Sequence, residues 1–195
     1  MPHSFIPPLL SADEPSAAAV EIPHGKAPFL LLCDHAGKAI PQSLGDLGLP
    51  PGEIERHIGW DIGALSVSRH LSRQLDATLI HQRYSRLVID CNRAPGIASS
   101  IPHLSELTPI PGNIGIDAEH ALAREQEGDL QVGINEPYAM TDATDYTLPV
   151  HAERRGLPYV GIEIRQDLIA DERGQQAWAK RFARLLPQAW QRWQI

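Results

Sequence analysis

Three polar strings in this chain carry residue types that chemistry needs. Cys33-Asp34-His35-Ala36-Gly37 puts a carboxylate and an imidazole directly after the apolar run 29–32. A neutral imidazole is a good zinc ligand, and Gly37 would let the backbone turn close to a metal or substrate. The structural alternative is a histidine hydrogen-bonded in a tight turn. The second string, residues 84–93, runs Tyr-Ser-Arg-Leu-Val-Ile-Asp-Cys-Asn-Arg. Its Asn92 and Arg93 offer an amide and a planar, permanently charged fork, a good complement to a substrate carboxylate. In the plainer reading Arg93 pairs with a structural carboxylate and Asn92 closes the turn before Ala94-Pro95-Gly96. The third is Glu163, in the middle of an alternating run where glutamate is disfavoured, so an arginine partner or a catalytic duty must explain it.

Asp61 and His57 share the stretch His57-Ile58-Gly59-Trp60-Asp61-Ile62-Gly63. Asp61 is placed to cap the helix that follows, and a carboxylate there could equally ligate a metal. His57 converges with it only if the helix begins earlier, which makes it the weaker candidate.

These groups need elements to position them. Short apolar runs predict strands over 28–33 and 77–83, and Leu87, Val88 and Ile89 predict a buried strand that delivers Asp90, Asn92 and Arg93 to its C-terminal end. That end is where open α/β sheets place their ligands. Val160, Ile162 and Ile164 alternate with polar neighbours and predict a strand over 157–165. One helical pattern runs to about Leu75. Another runs from about Glu172 to the C-terminus behind an Asp171 cap, with Trp178, Phe182, Leu185, Leu186, Trp190 and Trp193 as its packing face and Pro187 as a kink or break. A charged helical segment over 117–127 and a weak strand over 129–134 complete the pattern.

Residues 94–119, rich in proline and glycine, read as an irregular loop covering the site, with Ser99, Ser100, His103 and Asn113 as polar contacts. Tyr146 and His151 are further candidates in the polar stretch after it. The expected organisation is a loosely packed arm over 1–27, followed by one α/β domain over 28–195. We expect a three-layer α/β/α architecture with a mixed, mostly parallel sheet, reduced if an internal segment is missing.

Composition narrows the class. The 195 residues are 43% hydrophobic and 21% charged, enough for one real core. A net charge of -7 argues against a nucleic-acid backbone as the main partner. No apolar run is long enough to span a bilayer and no secretion signal is evident, so a cytoplasmic location is expected. Cys33 and Cys91 are too few for a disulfide scaffold or a four-cysteine zinc site, and read as small buried hydrophobes.

Taken together, the strings resemble the N-formylglutamate amidohydrolase family, within the wider group of zinc-dependent exopeptidase-like folds. The matching pieces are 33–37, 57–64, 84–93, Pro109-Ile110-Pro111-Gly112-Asn113, Asn135-Glu136-Pro137-Tyr138, 141–147 and 163–168, in family order. The resemblance implies a zinc-dependent hydrolase that cleaves the amide of an N-acyl amino acid such as N-formyl-L-glutamate, a step of histidine degradation, with a small-molecule carboxylate as its partner. By kinship, His35 and Asp61 would hold the metal and Glu163 would be the general base. Asn92 and Arg93, helped by Arg86, would hold the substrate carboxylate; Asp34, His57, Asn113, Tyr146 and His151 are weaker candidates.

Two departures accompany the resemblance. Metallocarboxypeptidases of the wider group carry a ligating Glu three residues after the first His, where this chain has Lys38. Family members also carry a segment with a later zinc-binding His, and this chain passes from Glu125 to Gly128 without it. A catalytic zinc then needs His103, His120, His151 or a partner chain as a substitute ligand. Two rivals follow: a shortened relative that binds an acidic metabolite without hydrolysing it, and a hydrolase using Cys33 or Cys91 with His35.

Overall fold

In the computed structural model, residues 8–106, 108–109, 111 and 145–194 are described. Asn113, His120 and the elements expected over 117–134 lie outside the described residues. At the centre is a three-stranded mixed sheet in the order β1-β3-β2, built from β1 (Ala18–Glu21), β2 (Leu30–Cys33) and β3 (Thr78–Gln82). β2 runs parallel to β3, with Leu31 beside Leu79 and Cys33 beside His81. β1 runs antiparallel on the other side, with Val20 beside Ile80. Residues 18–21, expected in a loose arm, thus form an edge strand. They are held further by Arg83, whose guanidinium donates to the Ser16 and Ala18 carbonyls.

Parallel neighbours need a crossover, and helix α1 (Ala64–Leu75) supplies it between β2 and β3. Val67 and Leu71 recur at helical spacing on its buried face. The second helix, α2 (Glu172–Trp193), lies against α1, where Ala179, Trp178, Phe182 and Leu186 pack on Val67 and Leu71. Asp171 caps α2 as expected, accepting from the Gly174 N–H at 2.8 Å. Pro187 does not break it: the helix continues to Trp193, since packing on α1 outweighs one lost backbone bond. The α/β class is as the sequence indicates, with a small mixed sheet.

Two expected strands are not strands. After Tyr84, which makes an isolated bridge to Ala39, the chain turns. The Val88 N–H donates to the Ser85 carbonyl, and Ser85 Oγ bonds the Gly59 carbonyl and the Leu87 N–H. Leu87 and Val88 are buried as predicted, against Leu47, Leu49 and Ile58. Local side-chain bonds from Ser85 and Asp90 replace the ladder that the apolar run suggested. Residues 157–165 form no ladder with any described strand, and Leu157 and Val160 are exposed. The proline-rich loop after residue 94 holds a small ladder between β4 (Leu104–Ser105) and β5 (Thr108–Pro109). No described helix is long and apolar enough to cross a membrane.

Candidate active site

β2 ends at Cys33, and the next residues, Asp34, His35 and Ala36, are all buried. Here Gly37 has a different purpose from the one expected: a Cβ there would stand 1.9 Å from the Arg83 carbonyl oxygen. Its missing side chain lets the turn after β2 press against the backbone after β3. That close approach fixes where His35 points.

Asp61 reaches His35 because it is not a cap. Gly63 takes the capping position of α1 in a left-handed conformation, φ 86°, without any side-chain cap bond. The Asp61 N–H instead donates to the His35 carbonyl at 2.8 Å, tying the two loops together. Its carboxylate is then free to approach the imidazole, with Oδ2 3.4 Å from His35 Nδ1.

The other ring nitrogen is held by a residue the sequence reading delivered to the site without a role. His35 Nε2 lies 2.8 Å from Asp90 Oδ1, and Arg86 Nη2 donates to Asp90 Oδ2 at 2.9 Å. Asp90 is itself pinned: its N–H donates to the Ser100 carbonyl and its Oδ1 accepts from the Asn92 N–H. The signal that could have found it is its place as the buried first residue of the Asp-x-Asn-Arg string.

Electrostatics follow from this packing. Burial works against a charged His35, but the Asp90 carboxylate and the hydrogen bonds that Asp61 and Asp90 accept from the ring hold its pKa up at about 9. Burial likewise opposes a charged Asp90, yet His35 and Arg86 hold it well below the usual carboxylate range. Burial pushes the Asp34 carboxyl well above the usual range despite the charge of His35, and its Oδ1 is buried without a hydrogen-bond partner among the described residues. It lines a small cavity with Cys33, Cys91 and His81.

The remaining candidates divide clearly. The Asn92 side chain is committed: its Oδ1 accepts from the Tyr146 N–H at 3.1 Å and its Nδ2 faces Asp145 Oδ1 at 3.4 Å. It joins the site to the stretch that holds Asp145 and Tyr146. Arg93 lies alongside, its Nη1 donating to the Asn92 carbonyl. His57 pairs with Glu106 at 2.7 Å, both exposed, so it joins a surface pair rather than Asp61. Lys38 pairs with Glu55 and lies 5.1 Å over the Trp60 ring. Ser99 and His103 are exposed, while Ser100 is buried. Glu163 is exposed on the extended segment before Arg165.

His151 sits on a π-helical turn, Leu148–Ala152, edge-on to Tyr146. Arg155 lies 3.2 Å from its Nδ1, and its Nε2 is buried with no hydrogen-bond partner among the described residues. The two thiols are unsuited to nucleophilic work: burial pushes Cys33 up to about 12 and Cys91 well above its ordinary value.

A metal ion can be tested against this geometry. Two donors about 2.1 Å from a tetrahedral zinc lie roughly 3.4 Å apart, and His35 Nδ1 and Asp61 Oδ2 are separated by 3.4 Å. Asp90 behind His35 is the carboxylate partner that orients a ligating histidine. This pair fits. Among the described residues, no cluster of three histidine, cysteine or acidic side chains can hold an ion.

With this geometry in view, comparison with known proteins decides the family. A family model described as N-formylglutamate amidohydrolase matches residues 27–127. The chain belongs to the N-formylglutamate amidohydrolase family. The match ends at residue 127. Among solved structures, the chain is similar to that described as the crystal structure of gene product Atu2144 from Agrobacterium tumefaciens. The TM-score is 0.86 at 32% identity, over 94% of this chain and 97% of that one. No curated protein matches the chain. Family membership supports an amidohydrolase-type hydrolase.

Proposed function

We propose that this N-formylglutamate amidohydrolase family member is a metal-dependent amidohydrolase acting on an N-acyl amino acid with a free carboxylate, typified by N-formyl-L-glutamate. The observation that carries the reading is His35 held between Asp61 and Asp90, with Arg93 following in the same short turn. In this reading His35 and Asp61 hold a zinc ion. The ion supplies Lewis acidity, polarising the scissile carbonyl and lowering the pKa of a nearby water.

The chain's own residues do the rest. With a metal ion bound in place of the Nδ1 proton, Asp90 would hold the remaining His35 proton on Nε2. Arg93 binds the substrate carboxylate and thereby sets where the amide lies. Glu163 takes the proton from the attacking water and returns it to the departing amine. Asn92, whose amide is occupied by Tyr146 and Asp145, shapes this pocket by anchoring that segment. Arg86, whose guanidinium faces Asp90 and Asp61, leaves the carboxylate to Arg93.

A second reading is favoured by one observation, the pair of metal donors where catalytic zinc sites generally have three. In it, the chain binds an acidic metabolite without hydrolysing it. Metal analysis and turnover on the purified chain separate the two. About one zinc per chain, lost with His35→Ala, together with release of formate from N-formyl-L-glutamate, is expected for the hydrolase. Saturable binding of the same compound with no zinc and no formate would establish the binding protein instead.

A further inference from the structure

Four side chains of the site close into a ring. From His35 Nε2 the path runs to Asp90 Oδ1 at 2.8 Å, and from Asp90 Oδ2 to Arg86 Nη2 at 2.9 Å. It continues from Arg86 Nη1 to Asp61 Oδ1 at 3.7 Å, and returns from Asp61 Oδ2 to His35 Nδ1 at 3.4 Å. Bases and acids alternate around it, and each carboxylate spends one oxygen on His35 and the other on Arg86.

The two carboxylates are not equally secured. Asp90 is buried and receives a backbone N–H from Asn92, whereas the Asp61 side chain is half-exposed and, among the described residues, pairs with His35 and Arg86. A guanidinium is planar and rigid, so two of its nitrogens index two carboxylates to each other, which a single ammonium cannot do. Arg86 is positioned for this by Ser85, whose hydroxyl ties the preceding residue to the Gly59 carbonyl, on the loop that carries Asp61.

We propose that Arg86 is a positioning residue: by bridging the outer oxygens of Asp90 and Asp61, it sets His35 and Asp61 in the relative placement that a metal ion requires. The inference rests on the metal reading above for its purpose, but the ordering of the ring is a property of the metal-free chain and is tested separately.

Arg86→Gln and Arg86→Lys are compared with the parent chain, each confirmed folded by circular dichroism. In the first arm, zinc affinity is measured by competition with a chromophoric chelator. Losing a group that orients metal ligands generally costs 10–100-fold in affinity, so Arg86→Gln should weaken zinc by about that factor, with Arg86→Lys between the two. In the second arm, NMR of the metal-free chain follows the His35 Nε2–H resonance, which the bond to Asp90 shelters from exchange. It should broaden or vanish in Arg86→Gln and partly return in Arg86→Lys. An unchanged zinc affinity with a raised KM would make Arg86 a substrate contact and overturn the proposal. So would a His35 resonance that persists unaltered in folded Arg86→Gln. Should the parent chain take up no zinc, the metal reading falls while the NMR arm still decides the ring, and if the Gln variant does not fold, the Lys variant decides both arms.

Discussion

Replacing Asp90 by Asn keeps the shape of the side chain and removes its charge, in a place where that charge holds His35. The structure gives the size of the effect. His35 stands at about 9 instead of its ordinary 6.5, a difference linked to roughly 3 kcal/mol of folding stability. Because the folded pKa is raised, this stabilisation is complete below about pH 6.5 and is lost as pH rises through about 9. Asp90 itself is depressed, so its share of the same interaction is present above about pH 4 and is lost on further acidification. The metal-free parent should therefore exceed Asp90→Asn by up to roughly 3 kcal/mol between about pH 4.5 and 6.5, since Asp61 retains part of the shift. At pH 6 a gap of that full size corresponds to a Tm difference of about 6–12 °C for a chain of this size. The gap should shrink steadily towards pH 10. Urea unfolding of both proteins in excess chelator, at pH 5.5, 7.5 and 9.5, measures it. An equal difference at pH 5.5 and 9.5 would refute the coupling, since loss of shape or packing has no reason to follow the His35 titration.

Two further outcomes test the surroundings of the site. Gly37→Ala drives a methyl into the Arg83 backbone and should cost about 1–3 kcal/mol or more by urea unfolding, with weakened zinc binding because His35 shifts with the turn; a neutral substitution would show that the close approach is unimportant. Glu163→Gln should reduce turnover of N-formyl-L-glutamate by at least about 100-fold while zinc content stays at the parent level. Loss of zinc instead would make Glu163 a ligand, and undiminished turnover would remove it from the reaction.

Much of the site was legible as strings of residues. A short apolar run ending in Asp34-His35 reads as a strand end because it stops so abruptly, and β2 does end at Cys33, although Leu30 on it is exposed rather than buried. The Asp-x-Asn-Arg string was legible as functional from residue type alone. Its setting was not: the run Leu87–Ile89 has the apolarity of a strand, but Ser85 and Asp90 bond their own backbone and hold it as buried turns. Likewise, the alternation across 157–165 describes how side chains would face if a neighbour were present, and says nothing about whether one is.

Asp61 shows the division most clearly. From the sequence alone it was a helix cap or a metal ligand, because a carboxylate ahead of a helical pattern suits both. Tertiary structure decided between the cap and the site, by placing Gly63 at the helix start and pulling the Asp61 backbone onto the His35 carbonyl. The amino-acid sequence by itself determined the family, the chemical types available and the order of β2, α1, β3 and α2, since these depend on local pattern. Which carboxylate faces which nitrogen of His35, and that Arg86 faces two acids and Asn92 a distant segment, depended on loops brought together across the sheet. No local pattern encodes such distances, because each is set by contacts between residues far apart in the chain.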